Sequence, residues 1–266
     1  MKQALCKQFL RTLFVAWTVL FRAPCDASPL VNIEGGSYQP ILFKGKTVKV
    51  ESFQLFETAV TNREYLEFVL AQPKWQRSKV KTLFADDKYL SKWKSDTEIG
   101  DQVFTDAPVV HVSWSAAQAF CEAQNLRLPT LDEWEYLAQF GPPTSGKDSS
   151  GADPKEIILS WYSKPNPEKV PVVRSTFKNK FGAWDIHGLI WEWVYDFNSA
   201  FVTGESRGDT SLEKSMFCGA GSVGAADPTN YAAFMRFSFR SSLKGNYTVA
   251  NLGFRCAASL KGGSTK

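Results

Sequence analysis

Histidine is scarce in this 266-residue chain, which holds two, His111 and His187. A zinc centre built on three imidazoles is therefore excluded, and no motif supplies the mixed His/Glu alternative. Methionine is nearly as rare, at three. A membrane-spanning helix needs roughly 20 apolar residues, and the run from Thr12 to Phe21 is too short for one. No repeat or low-complexity tract is visible. Nor is there a basic stripe of the kind that follows a phosphate backbone, which argues against nucleic acid as a partner.

What is present at the N-terminus reads as a targeting segment. Met1-Lys2, Lys7 and Arg11 precede the apolar run, and a short polar stretch ends at Cys25-Asp26-Ala27-Ser28. A basic start, a short apolar centre and a small residue before the cut describe a secretory signal peptide. The sequence thus predicts residues 1–27 as a signal cleaved after Ala27 and residues 28–266 as one domain. The expected product is periplasmic or secreted, with no membrane attachment after cleavage. The signal carries Lys2, Lys7, Arg11 and Arg22 against Asp26, so most of the formal +4 charge leaves with it. The remainder is long enough to bury a substantial core, and nine tryptophans and twenty phenylalanines imply that the core is largely aromatic.

Cys6 and Cys25 also leave with the signal. Cys121, Cys218 and Cys256 remain, an odd number in an oxidising compartment, and one disulfide plus one free thiol is the simplest arithmetic.

Along the chain, Ile33 to Tyr38 and Lys46 to Leu55 read as short strands joined through a glycine turn. Thr61-Asn-Arg-Glu64 is a capping box, opening a helix with Tyr65, Phe68 and Val69 on one face. Residues 71–107, polar and lysine-rich, read as an insertion or long surface loop. Pro108 to Trp114 reads as a strand running into a helix from Ala116 to Gln124. Thr130 and Glu133 form a second capping box, with Gly141 beyond that helix's end. After Gly141 the regular signals fade into loops rich in glycine, proline and aromatics.

Two strings in the last third follow neither a helix nor a strand period: Phe181-Gly-Ala-Trp-Asp-Ile-His-Gly-Leu-Ile-Trp-Glu-Trp193 and Asn251-Leu-Gly-Phe-Arg-Cys-Ala257. Upstream stand Val60-Thr-Asn-Arg-Glu-Tyr65, Pro108-Val-Val-His-Val-Ser-Trp114 continuing to Cys121, and Leu126-Arg-Leu-Pro-Thr-Leu-Asp-Glu-Trp-Glu-Tyr136. In this order, over roughly residues 33–258, these blocks resemble the formylglycine-generating enzyme family, also called sulfatase-modifying factors. The resemblance implies an α+β fold: a single compact domain related to the C-type lectins, with few helices and short antiparallel strands. It implies a Cys121–Cys256 disulfide, and it would put the halves of a second family disulfide at Ala138 and Phe237, where no cysteine stands. It also implies a calcium loop, with side-chain oxygens from Asp185 and Glu192 and carbonyls from Gly188 and Ile190, the hard donors calcium takes. On the residues alone, Asp185 capping a turn and Glu192 in a salt bridge is the other reading.

The family's enzymes oxidise a substrate cysteine to formylglycine with oxygen and copper(I) held between two thiolates, a soft donor pair suited to that ion. Counting from the flanking blocks, one of those cysteines falls at Ala232 and the other near Asp227 or Ala225, so the copper-binding pair is absent. The presumed substrate groove keeps Trp191, Ser222 and Cys218. Cys218 is the candidate catalytic or redox thiol, a soft copper(I) ligand with Met216 and Met235, or a small buried hydrophobe. The signal peptide, the missing pair and the tail from Tyr231 to Ser242 resemble exported homologues that serve as accessories to periplasmic copper nitrite reductase. They are similar, less closely, to the homologue that matures pyoverdine. The function expected is an exported maturation or accessory factor acting on a protein or peptide-like substrate without authentic formylglycine generation. A non-catalytic, calcium-stabilised lectin-like binding module is the alternative.

Overall fold

In chain order the elements are β1 (Leu30–Ile33), β2 (Gly36–Tyr38), β3 (Val48–Val50), β4 (Phe53–Phe56), α1 (Asn62–Ala71), α2 (Trp114–Ala123), α3 (Leu131–Leu137), β5 (Trp191–Glu192), α4 (Pro228–Ser241), β6 (Leu252–Gly253) and β7 (Ala257–Ser259). The computed structural model describes residues 28–40, 47–141, 159–161, 163–198 and 228–260. The expected signal peptide lies outside the described residues, as do Met216, Cys218 and Ser222. Among the described residues no helix is long and apolar enough to cross a membrane.

A three-stranded antiparallel sheet in the order β1-β4-β7 ties the start of the described chain to its end. In β4, Phe53 and Leu55 are buried, while Gln54 between them is partly exposed and donates to Asn32 at 2.9 Å. This is the two-residue period of a strand with one face on the core. A second pair, β2 with β3, is antiparallel, and the short β5 and β6 run parallel. The architecture is α+β, with few helices and short, mostly antiparallel strands, as the resemblance implies.

Both capping boxes form. The Thr61 hydroxyl accepts from the Glu64 N–H while Glu64 takes the Thr61 N–H at 2.7 Å. Thr130 and Glu133 repeat the exchange at the head of α3, where Glu133 also receives Arg127 in a bidentate pair at 2.6 and 2.7 Å. The α3 helix ends at Leu137 with Ala138 as its cap, four residues short of Gly141. The core is aromatic as composition implied: Tyr65 stacks on Phe120, which meets Phe254 edge to face at 5.3 Å. Burying each such ring contributes on the order of 2 kcal/mol. Cys121 at the end of α2 is bonded to Cys256, just before β7, closing a separation of 135 residues. Loop-closure entropy assigns such a bridge up to about 5 kcal/mol.

Three sequence expectations are corrected. Residues 71–107 are no surface insertion, because Trp75, Tyr89, Leu90 and Trp93 are all buried in the main core. Tyr89 links this segment to α1 through the Tyr65 hydroxyl at 2.7 Å and donates to the Trp75 carbonyl. Residues 108–113 form no sheet strand: they make a single bridge, Thr61 to Pro108, and His111 turns the backbone to φ +56°. The aromatic tail after residue 227 is not irregular, for it contains the 14-residue helix α4.

Gly253 shows how closely the last blocks approach the rest. A β-carbon there would sit 2.4 Å from the Val109 carbonyl oxygen and 2.7 Å from Ile190 Cδ1. Only glycine lets β6 lie against both.

Candidate functional site

The two-residue strand β5 sorts its side chains to opposite sides. Glu192 points inward and Trp191 remains partly exposed. Backbone bonds hold the strand on the string from Asn251 to Ala257, from Trp191 N–H to the Asn251 carbonyl and from Trp193 N–H to the Gly253 carbonyl, both at 2.8 Å.

On the inner side Glu192 meets Arg255. The guanidinium donates to both carboxylate oxygens at 2.7–3.0 Å and also to the carbonyls of Trp184, Phe56 and Glu57. Neither side chain has solvent exposure. The Trp134 indole N–H adds a further donor to Glu192 at 2.8 Å. The face of Trp134 in turn lies under two cations of α4, Arg240 at 4.7 Å and Arg236 at 5.5 Å from the ring centre. Both arginines also bond Glu135, the residue after Trp134. Burial alone would raise the Glu135 carboxyl, but the paired arginines hold it down at about 2. Beside this network the His187 edge meets Trp134, and His187 Nε2 donates to the Ala138 carbonyl at 2.9 Å. That assignment of the proton follows from the carbonyl, which can only accept. Burial, reinforced by Arg236, lowers His187 to about 4, so it is neutral at physiological pH.

On the outer side Trp191 packs against Trp161 at 5.5 Å and Phe239 at 4.4 Å. Phe239 lies two turns along α4 from Ala232, on the same side of the helix. Ala232 is buried at 2 % exposure. The described half of the presumed groove is thus an aromatic face of Trp161, Trp191 and Phe239 with Ala232 farther along the same helix. Cys218 and Ser222, which would complete it, lie outside the described residues.

This arrangement does not fit the family's copper pair. A buried methyl stands at one of the two cysteine positions, and the other falls on Asp227 or Ala225 in the sequence. Cys121 and Cys256 are consumed by their disulfide. No step is routed through copper here.

The calcium loop has the donor types expected, but its carboxylates are engaged by the protein. Asp185 accepts from the Arg174 N–H at 2.5 Å and from the Thr176 N–H and hydroxyl, both at 2.8 Å. Glu192 is the counter-ion of Arg255. Asp185 at φ +58° and Gly188 at φ +94° give the bent backbone, and Ile190 is buried. As arranged, turn cap and salt bridge close the loop without a cation. Among the described residues no cluster of three or more metal-ligating side chains occurs. A guanidinium on both Glu192 oxygens is a poor neighbour for a divalent cation, so the residues present do not form a calcium shell and no step is derived through one.

Sequence reasoning missed Glu135, Arg236, Arg240 and the partner of Glu192. The available signal was the i, i+4 spacing of Arg236 and Arg240 beside alanines and aromatics, which marks one helix face.

The sulfatase-modifying factor enzyme 1-like domain model matches residues 19–260. Among curated relatives, an inactive Cα-formylglycine-generating enzyme 2 of Mus musculus is 30% identical over 164 residues, 58% of this chain and 50% of its own length. A formylglycine-generating enzyme of Streptomyces coelicolor is 32% identical over 177 residues, covering 59% and 55% of the two chains. A hercynine oxygenase of Mycobacterium tuberculosis is 25% identical over 55% of this chain and 38% of its own. The chain therefore spans about half the length of the formylglycine-type relatives it matches. Among solved structures, PvdO from Pseudomonas aeruginosa overlaps 87% of this chain and 94% of its own at 18% identity, with a TM-score of 0.47. A likeness of that order says nothing about chemistry.

Proposed function

The chain belongs to the sulfatase-modifying factor family, and from that premise we propose that it is an exported maturation or accessory factor. It receives a protein or peptide-like substrate on the face formed by Trp191, Trp161 and Phe239, without copper-dependent formylglycine generation. The observation that carries this reading is Ala232, a buried methyl at a position where the family's oxidases place a copper-binding thiol. The family supports such a division of labour, since the matched relatives include a formylglycine-generating enzyme, a protein named as an inactive one and a hercynine oxygenase. Service to a periplasmic copper nitrite reductase is the specific form of the proposal, and it rests on the sequence pattern alone.

The aromatic face suits recognition chemistry. Stacked rings present flat, rigid contact area at low entropic cost, and the buried ion network behind Trp191 keeps β5 and α4 in fixed relation. The binding-module alternative draws on the same face and differs in having no turnover.

The test is incubation with a peptide containing Cys-X-Pro-X-Arg under oxygen and copper(I), read by mass spectrometry. Unchanged cysteine is expected, and conversion to the aldehyde would overturn the reading. Binding of that peptide, lost in Trp191→Ala with an unchanged melting temperature, would identify the face as the recognition surface.

A further inference from the structure

Residues 71–107 are pinned from inside by Trp75, Tyr89, Leu90 and Trp93, yet their outer side presents an apolar pair to solvent. Leu83 is 76 % exposed, more than any other large apolar side chain among the described residues. Phe84 beside it is exposed too, and its ring meets Trp75 edge to face at 6.0 Å. The turn that carries the pair is clamped. The Phe84 N–H donates to the Lys81 carbonyl at 2.8 Å, the Asn246 side-chain amide to the Thr82 carbonyl at 3.3 Å, and the Asp86 N–H to the Asn246 carbonyl at 2.9 Å. A leucine held in water on a fixed turn adds nothing to the fold, since apolar area stabilises only when it leaves water.

Cations surround the pair. Lys81 and Lys79 precede Leu83 by two and four residues, Lys74 lies 6.0 Å from the Trp75 ring centre, and Lys244 stands two residues before the Asn246 clamp. All four are exposed and, among the described residues, none forms an ion pair, whereas Lys94 farther along is bonded to Glu98 at 2.7 Å. Two of the neighbouring carboxylates are engaged by the protein. Asp86 accepts from the Thr248 N–H and hydroxyl, and Asp96 from the Ser78 N–H and hydroxyl at 2.7 and 2.5 Å. Asp87 is exposed, with the exposed Lys88 next to it.

The kind of cation separates two classes of partner. Protein interfaces are rich in arginine and poor in lysine, and Arg77, the one arginine between residues 71 and 94, is engaged on the Trp93 carbonyl at 2.9 Å. Lysine carries a compact charge on a flexible stem that can lie along apolar surface while its head reaches a phosphate. Apolar side chains projecting among lysines match a bilayer interface, with acyl chains beneath and anionic headgroups around.

We propose that this turn is a reversible docking surface for an anionic phospholipid bilayer. Leu83 and Phe84 enter the acyl boundary, and Lys74, Lys79, Lys81 and Lys244 meet the headgroups. None of these residues belongs to the Trp191 face, so the site stands or falls independently of it. It sets a peripheral contact in place of the sequence expectation of no membrane attachment.

The test mixes the full chain with vesicles of phosphatidylglycerol and phosphatidylcholine in equal parts, and with phosphatidylcholine alone. Binding is read by sedimentation, and the contact by carbene footprinting of Leu83 and Phe84 with mass spectrometry. Protection of both residues on the anionic vesicles alone, lost as salt is raised, is expected. Leu83→Ser should weaken partition about tenfold, and Lys81→Gln about fivefold, at unchanged melting temperature because both side chains face solvent. Residues 1–27 are common to all these proteins, and binding through them would leave Leu83 and Phe84 labelled as in free protein. That result, equal protection on neutral vesicles, or wild-type partition in both variants overturns the proposal. Protection by polyglutamate but by neither vesicle would also overturn it and assign the turn to an acidic protein.

Discussion

Glu192 and Arg255 meet at 2.7 Å in the interior with neither side chain exposed, and this pair joins the two strings that carry the family resemblance. Sixty-three residues separate them in the chain. Glu192 belongs to the strand that presents Trp191, so the ion pair sets the position of the candidate face.

Removing one partner leaves a bare buried charge, which costs about 3–5 kcal/mol. Glu192→Gln and Arg255→Met are each expected to lose stability on that scale in urea unfolding. The double variant Glu192→Gln/Arg255→Met should lose clearly less than the sum of the two. Additive losses would show that the pair does not act as a unit.

His187 gives the stability a defined pH dependence. Its folded pKa, about 4, lies below its ordinary value of 6.5, so the unfolded chain binds more protons between those limits. Stability from this group is complete above pH 6.5 and is lost as the pH falls towards 4, by roughly 3 kcal/mol in all. Glu135 adds a second loss below its ordinary value of 4.5, continuing towards its folded value of about 2. Melting temperatures should therefore fall from pH 6.5 downwards, and His187→Phe should flatten the slope between 6.5 and 4. An unchanged slope in that variant would remove His187 from the account.

The loop from Asp185 to Glu192 is held by protein donors, so EDTA is expected to leave the melting temperature unchanged. A fall on chelation, restored by added calcium and matched by stoichiometric calcium in elemental analysis, would reinstate the oxygen-ligand reading.

Local signals were legible in the sequence. Thr61 with Glu64 and Thr130 with Glu133 are three residues apart, and each pair closes the hydrogen bonds that start its own helix. The α4 helix was hidden because its buried side carries Arg236 and Arg240, which pattern reading assigns to solvent. Their burial depends on Glu135, about a hundred residues away. Residues 71–107 looked like surface because their polar majority masks Trp75, Tyr89, Leu90 and Trp93. Trp191 was identifiable as a site residue from its string, but its packing partners Trp161 and Phe239 come from segments with no signal linking them to it. His111 appeared only as a letter in a strand-like run, and its backbone turn is a tertiary property.

The central claim, that this family member lacks the copper chemistry of its oxidase relatives, is tested most directly by anaerobic titration with copper(I) against a competing chelator. Cys218→Ser is measured alongside. The account predicts no tight one-to-one binding and no difference between the two proteins. Tight stoichiometric binding that Cys218→Ser abolishes would contradict it and make this chain a copper-handling protein.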